Sequence, residues 1–217
     1  MQGTIMTRRR FVAAGGAVAA VLAIGGGGYV AANWAPDETE ELLRTSMGDG
    51  MGRILVVYGT KSGCTAGVAE RIGTALAGTG STVDVLPAED APDPAGYDGV
   101  VVGSGIRVGQ WHSAAKEWVT ANAGALKARP TALYTVCLTM ASEPEKAPEV
   151  LAYTDPLLEE TGIEPIDVGL FGGWFEPTRF GLLERTVLKA MKAPKGDHRD
   201  WDAIDAWALS VAPRLKA

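Results

Sequence analysis

The sequence predicts a doubly wound α/β fold, in which a five-stranded parallel sheet carries helices on both faces. Short runs rich in Val, Ile and Leu recur without polar alternation, as expected of strands that are buried on both faces. Segments whose apolar residues repeat at helical spacing separate these runs. Strands that alternate with helices in this way are joined by right-handed crossovers and form a parallel sheet. The pattern begins near residue 51 and continues to the end of the chain.

The predicted elements follow one another in a regular order. The apolar runs predict strands at residues 53–58, 82–86, 97–102, 131–138 and 166–171. A helix follows the first strand, because Val68, Ile72 and Leu76 share one helical face. Three further helices are predicted over residues 111–126, from the Pro- and Glu-rich segment 143–149 to about residue 160, and over residues 201–211.

The composition fits one folded domain with an additional segment. The 217 residues are 47% hydrophobic and 21% charged, and the formal net charge is −6. The charged fraction is too high for a polytopic membrane protein, and the apolar fraction is too high for a disordered chain. The acidic balance argues against nucleic acid as a partner. With 2 cysteines and no metal-ligand spacing, the sequence predicts neither a disulfide framework nor a metal site.

The first fifty residues have the organisation of a targeting segment and a linker. Arg8–Arg10 precede the uncharged stretch Phe11 to Ala32, which as a helix is long enough to cross a hydrocarbon core of about 30 Å. The arginines and the weakly hydrophobic stretch indicate a twin-arginine export signal. Residues 1–35 are therefore predicted to be this signal or an uncleaved membrane anchor, residues 36–50 a polar linker, and residues 51–217 the folded domain.

The same N-terminal pattern predicts a location. The positive-inside rule places Arg8–Arg10 in the cytoplasm and the domain outside, exported or associated with the membrane. In an alternative interpretation Met51 is the true start of the chain. The domain would then lie at the cytoplasmic face of the membrane.

The loop between the first strand and the first helix has the residues of a phosphate site. Hydroxyl groups and free backbone N–H groups at a helix N-terminus bind phosphate, because the donors are unpaired and the helix dipole is favourable. The spacing fits neither a Walker loop nor the dinucleotide fingerprint. Serine and threonine are also ordinary helix caps, which is the alternative. The predicted phosphate-binding residues are Thr60, Lys61, Ser62, Gly63, Cys64 and Thr65.

Two further segments lie at the carboxyl ends of predicted strands, where ligands bind in such folds. One follows the third strand and is rich in glycine, which lets backbone lie flat against a planar ring. The other follows the fourth strand. A phosphate loop with two ring-contacting loops indicates a mononucleotide that carries a flat heterocycle. The predicted ring-contacting residues are Ser104, Gly105, Ile106, Arg107, Thr139, Met140 and Ala141.

Residues 53–217 resemble the flavodoxin family. The pattern Thr60-Lys61-Ser62-Gly63-Cys64-Thr65 matches that family's phosphate loop for FMN. The resemblance implies FMN as cofactor and the strand order 2-1-3-4-5. More narrowly, the chain resembles the menaquinone-dependent protoporphyrinogen oxidases of bacteria. The matching residues are Gly103-Ser-Gly-Ile-Arg-Val-Gly109 with Trp111-His112-Ser113-Ala114, Ala132 to Val136, Glu143-Pro-Glu-Lys146, Gly172-Gly173, Pro177 and Trp201.

The chain departs from this narrower family in two places. The segment from Trp174 to Asp200 is shorter than in the best-known members, where a long insertion is implicated in activity and quinone coupling. The export signal also differs from a family that works at the cytoplasmic side of the membrane. Both departures weaken the transfer of the narrower family's activity to this chain. The location that the export signal implies favours an exported or surface-anchored flavoprotein that exchanges electrons with quinone.

Arg107 and His112 are the two candidate catalytic residues. With an ordinary pKa close to neutrality, His112 would exchange protons with flavin or substrate; alternatively it is an exposed histidine packed on Trp111. Arg107 would neutralise anionic reduced flavin or a substrate carboxylate; alternatively it forms a surface salt bridge. Cys64 would have a lowered thiol pKa at a helix N-terminus, or it is a small residue that contributes only its backbone N–H.

A basic amphipathic helix is predicted over residues 178–192. Phe180, Leu183 and Val187 share one face, and Arg185 and Lys189 lie on the other. Such a helix would rest on anionic lipid and bring the flavin near quinone. The alternative is a core-packing helix with a solvated basic face.

Three functions are compatible with the sequence. The first is an enzyme whose FMN takes electrons from a reduced substrate, such as a porphyrinogen, and delivers them to membrane quinone. The second is a non-enzymatic electron carrier of the flavodoxin type that serves a redox partner protein. The third, an interaction domain without FMN, is disfavoured because the first loop is intact.

Overall fold

A computed structural model describes residues 42–175 and 195–216 of the chain. The predicted signal or anchor, the first part of the predicted linker (residues 36–41) and the predicted helix at 178–192 lie outside the described residues. The strands are β1 (Thr45–Met47), β2 (Gly52–Gly59), β3 (Ser81–Pro87), β4 (Gly99–Arg107), β5 (Gln110–Trp111), β6 (Thr131–Cys137), β7 (Val168–Gly172), β8 (Trp174–Phe175) and β9 (Gly196–Asp197). The helices are α1 (Cys64–Ala77), α2 (Ser113–Ala121), α3 (Ala123–Lys127), α4 (Leu138–Ser142), α5 (Ala147–Ala152), α6 (Asp155–Thr161) and α7 (Trp201–Leu215).

A parallel sheet organises the domain. Its central strands run in the order β3-β2-β4-β6-β7, which is the predicted order 2-1-3-4-5. Strand β2 alternates between two cores: Ile54 and Val56 face one, and Leu55 and Val57 face the other. All four side chains are fully buried, which explains why this strand shows no polar alternation. The predicted doubly wound α/β fold is confirmed.

Helices cover both faces of the sheet. On one face, α1 and α7 bury Val68, Ile72 and Ile204 against the strands. On the other face, Trp118 of α2 and Leu157 of α6 pack against β2, β4 and β6. Two apolar layers of this kind are the main stabilising contribution to an α/β domain.

The sheet contains two strands more than the five predicted. Strand β1 pairs antiparallel with β3, with Thr45 opposite Val85 and Met47 opposite Val83. Residues 45–47 are therefore an edge strand and not part of a polar linker. Strand β5 forms a tight hairpin with β4, so Trp111 belongs to a strand and not to the start of the following helix.

The single helix predicted from residues 143–149 to about residue 160 is also corrected. The segment contains a short 3₁₀ turn at Pro144–Lys146 and then the separate helices α5 and α6. A proline lies at the start of each of these helices, at Pro148 and Pro156. Proline fits the first turn of a helix and interrupts its interior, so the chain restarts at each one. Across residues 42–175 and 195–216, no helix combines the length and the apolar character needed to cross a membrane.

Candidate functional site: a cleft at the carboxyl edge of the sheet

A cleft opens where the carboxyl ends of β2, β4, β6 and β7 meet. Its volume is about 540 Å³, which includes the solvent space at its open mouth. Chain segments that are far apart in sequence line it, as expected at the carboxyl edge of a doubly wound sheet. The lining residues are Thr60, Lys61, Ser62, Cys64, Thr65, Gly105, Ile106, Arg107, Val136, Cys137, Leu138, Gly173 and Trp174.

The first predicted loop forms one end of this cleft. Gly63 immediately precedes α1 and has a φ of 77°, a left-handed conformation that favours glycine. No side chain caps the helix at Gly63, while the hydroxyl-bearing residues Thr60 and Thr65 are buried beside it. The helix N-terminus thus presents backbone N–H groups and hydroxyl groups to the cleft, which suits a phosphate group. Gly63 shapes the loop without lining the cleft.

The second predicted segment contributes Gly105, Ile106 and Arg107 to the cleft. Burial lowers the pKa of the Arg107 guanidinium, which nevertheless stays protonated at neutral pH. The hydroxyl of Ser104 points elsewhere: it accepts a hydrogen bond from the His112 backbone N–H at 2.7 Å and donates to the Gly105 carbonyl at 2.9 Å. The serine therefore shapes the hairpin between β4 and β5 and is not among the residues that line the cleft.

His112 is buried at the start of α2 and is not among the residues that line the cleft. Only 1% of the residue is exposed, and Nδ1 is 3.9 Å from Glu89 Oε1. Burial, followed by the charges of Lys61 and Arg107, lowers the pKa of His112 to about 4. The effect of burial on the pKa is larger than that of the Glu89 carboxylate, so the imidazole is neutral at pH 7. The predicted alternative of an exposed first-turn histidine is wrong.

The third predicted segment reaches the cleft only at its start. Leu138 lines the cleft, whereas Thr139, Met140 and Ala141 continue into the short helix α4. Because the chain coils into a helix directly after β6, the wall is formed instead by Val136 and Cys137 at the end of that strand.

The fifth strand supplies a wall that the sequence prediction missed. Gly173 and Trp174 follow β7 and line the cleft next to Cys64 of the first loop. The strand-end argument that located the other loops applies equally to this strand, and Gly172-Gly173 is the signal that points to it. The identity of Trp174 as a wall residue depends on long-range packing, which no local pattern indicates.

Cys64 connects this wall to the first loop. The Trp174 backbone N–H donates a hydrogen bond to Cys64 Sγ at 3.2 Å. Burial raises the pKa of the Cys64 thiol to about 11, so desolvation outweighs the helix N-terminus. Of the two roles considered for Cys64, the structure favours the structural one.

Comparison with known proteins identifies the class to which this fold and cleft belong. A family model of the flavodoxin domain matches residues 55–202, and the chain belongs to this family. The chain is also similar to flavodoxin 2 from Bacillus cereus, with a TM-score of 0.51, 20% identity, and coverage of 75% of this chain and 99% of the other. That similarity supports the fold.

Two curated relatives define a narrower resemblance. The chain is 26% identical over 171 residues to protoporphyrinogen IX dehydrogenase [quinone] of Escherichia coli, covering 74% of this chain and 94% of the relative. It is 28% identical over 184 residues to the protein of the same name from Leishmania major, covering 76% and 80%. These relatives support an oxidoreductase at the level of the family.

Family membership indicates FMN as the cofactor, and the residues of the cleft fit it. The left-handed Gly63, the open N-terminus of α1 and the buried threonines suit a phosphate group. The apolar side chains of Ile106, Leu138 and Trp174 suit a flat ring. Within the described ranges, no group of three or more His, Cys, Asp or Glu side chains could hold a metal ion.

Proposed function

We propose that this protein is an FMN-dependent oxidoreductase that passes electrons from a reduced substrate to membrane quinone. The observation that carries the proposal is a cleft whose lining residues suit FMN, in a chain that covers 94% of a quinone-linked dehydrogenase to which it is similar. Protoporphyrinogen IX is the reduced substrate that the names of those relatives suggest. A flavodoxin-type electron carrier is the alternative.

The chain contributes binding and electrostatics to this reaction. Bound FMN supplies the redox chemistry by accepting and releasing two electrons. Thr60, Ser62 and Thr65 hold its phosphate together with the N–H groups at the start of α1. Lys61 and Arg107 place two cationic side chains on the cleft wall, where positive charge favours an anionic ring or a substrate carboxylate.

The two predicted catalytic residues differ in their position relative to the cleft. Arg107 lies on the cleft wall and we retain it as a group that contacts the cofactor or the substrate. His112 is buried outside the lining, and its proton-transfer role remains a prediction. Replacement His112→Ala tests that role: a turnover rate equal to wild type at unchanged FMN affinity would reject it.

The proposed location rests on the sequence of residues 1–35 and 178–192. The first segment would export or anchor the protein, with the domain outside, and the second would contact anionic lipid. Protease treatment of intact cells tests the side of the membrane. Digestion of the domain in intact cells supports an outside location, and protection until lysis contradicts it.

FMN binding is tested by comparing FMN with riboflavin, which lacks the phosphate. The purified protein should bind FMN with its visible absorption bands perturbed, and should bind riboflavin at least about tenfold more weakly. Thr60→Ala and Thr65→Ala should reduce this preference. Thr74→Ala is the matched control, because Thr74 lies on α1 and its hydroxyl bonds only within the described helix and to Met47. A colourless protein that binds neither compound would overturn the proposal.

Electron transfer separates the enzyme from the carrier. Under anaerobic conditions, protoporphyrinogen IX should bleach the visible absorption of the oxidised flavin, and a menaquinone analogue should restore it. Bleaching by chemical reductant but not by the porphyrinogen would reject this substrate. Rapid exchange with a flavodoxin partner, without reaction with quinone, would favour the carrier.

A further inference from the structure

We propose that Arg199 is a positioning residue for the cofactor cleft and fixes the Trp174 indole as the cleft wall next to the phosphate loop. The proposal rests on FMN binding in this cleft. No motif in the sequence points to Arg199, which lies after the short strand β9 and does not itself line the cleft. Its role follows from the groups around its guanidinium.

The guanidinium of Arg199 is stacked between two indoles. Its Cζ lies 4.5 Å from the ring centroid of Trp174 and 4.4 Å from that of Trp201. Cations at this distance from an aromatic face are attracted by the ring quadrupole, and more strongly where water is excluded. Only 10% of the arginine side chain is exposed. The arginine therefore connects the cleft wall to the first residue of α7.

Asp197 sets the plane of the guanidinium. It accepts two parallel hydrogen bonds, from Nε of Arg199 at 2.8 Å and from Nη2 at 2.6 Å. It also accepts a bond from the Arg199 backbone N–H at 3.1 Å. In the β8–β9 ladder, Asp197 lies directly opposite Trp174. Asp197 is thus joined to Trp174 in two ways, directly through the strand pairing and indirectly through the guanidinium of Arg199, which stacks on the indole. The indirect connection requires a planar side chain with paired donors at position 199.

The remaining nitrogen of Arg199 lies against the helix that begins at the phosphate loop. A Cβ at Gly67 of α1 would come within 2.6 Å of Nη1. Glycine at this position is therefore what lets the guanidinium approach the helix. The same contact ties the Trp174 wall to the helix that starts at Cys64, in addition to the bond from the Trp174 N–H to Cys64 Sγ. Arg199 consequently fixes the position of the Trp174 wall relative to the helix that begins at the phosphate loop.

Replacement Arg199→Lys tests the role, because lysine keeps the charge but has neither the planar face nor the paired donors. We expect FMN to bind about tenfold more weakly and the visible spectrum of the bound flavin to shift. Trp174→Leu should have a similar effect. The double variant should be no worse than the stronger single one, because both changes remove the same wall.

Gly67→Ala is a second test of the role of Arg199, and it avoids a substitution that weakens the helix. Alanine is the better helix former, yet its methyl group displaces the guanidinium. FMN affinity should fall although thermal stability does not. Arg71→Lys is the matched control: Arg71 also joins α1 to α7, through Asp205 at 2.6 Å, and is not among the residues that line the cleft. Its FMN affinity should equal that of wild type.

The outcomes separate this inference from the cofactor assignment. If the wild-type protein does not bind FMN, the proposed function fails and the inference fails with it. If wild type binds FMN and both Arg199→Lys and Gly67→Ala match it in affinity and flavin spectrum, the inference alone is overturned. Additive losses in the double variant would also contradict it.

Discussion

At the scale of single residues, burial decides the behaviour of the titratable groups around the cleft. Cys64 lies at a helix N-terminus, which stabilises a thiolate, and His112 has a carboxylate within 3.9 Å, which stabilises an imidazolium. In both cases desolvation is the larger effect and the neutral form prevails. The sequence placed Cys64 at a helix N-terminus but gave no sign of Glu89 beside His112 and contained no measure of burial, so the direction of these shifts was not predictable from it.

His112 should make the protein less stable in mild acid. Between about pH 6.5 and about pH 4, the unfolded chain binds a proton on His112 that the folded chain does not, so the free energy of unfolding falls as pH falls. The loss is at most about 3 kcal/mol. Desolvation raises the pKa of the partly exposed Glu89 carboxyl, which offsets part of the loss, because the folded carboxyl takes up its proton at a higher pH than the unfolded one.

Urea unfolding at pH 7 and pH 4.5 measures this effect. In His112→Asn the difference between the two pH values should shrink, while Glu89→Gln should enlarge it. If wild type and His112→Asn lose the same stability on acidification, His112 is not neutral in the folded protein.

The two cysteines should resist alkylation. Both are free and buried, and burial raises the thiol pKa of each. At pH 8 the thiolate population of Cys64 is then about a hundredfold lower than in the unfolded chain. Mass spectrometry after iodoacetamide treatment should find both thiols unmodified in the native protein and modified in urea. Rapid modification of Cys64 in the native protein would contradict its structural role.

At the scale of elements, the predictable parts are those specified by local pattern. The five central strands and the first loop were predictable because each is a continuous run with its own signal. Strand β1 was not, since three residues carry no periodicity and the strand depends on Val83 and Val85 far along the chain. The Trp174 wall was not predictable for the same reason. Trp174 contacts Asp197 and Arg199, which lie more than twenty residues further along the chain.

Strand β1 should contribute measurably to stability. It pairs with β3; the Tyr58 hydroxyl donates to the Leu43 carbonyl at 2.8 Å, and Arg44 pairs with Asp90 at 2.6 Å. A chain shortened to begin at Met51 lacks all three interactions and should lose about 2–3 kcal/mol. A chain shortened to begin at Leu42 is the control. Equal thermal midpoints for the two chains would contradict a role for β1.

At the scale of the whole molecule, the cofactor cleft exists only when the sheet is assembled, because its walls come from the ends of four strands. FMN at a hundredfold excess over its dissociation constant should therefore raise the free energy of unfolding by about 2.7 kcal/mol. Thermal unfolding with and without FMN measures the shift. At the same FMN concentration, the FMN-induced rise in the unfolding temperature should be smaller for Thr65→Ala and unchanged for Thr74→Ala. An equal rise in wild type and both variants would show that Thr65 does not contact the cofactor.

The antiparallel direction of β1 determines where the chain joins the domain. Leu43 and Arg44 contact Tyr58 and Asp90, which lie at the carboxyl edge of the sheet, the edge that also holds the cleft. The other end of the described chain lies at the opposite edge, where Lys216 Nζ donates to the Thr79 carbonyl at 2.7 Å. A bulky fusion or a surface attachment placed just before residue 42 would therefore crowd cofactor entry. The same group attached after residue 216 would leave the entrance open, which makes that end the suitable handle for immobilising the flavoprotein on an electrode.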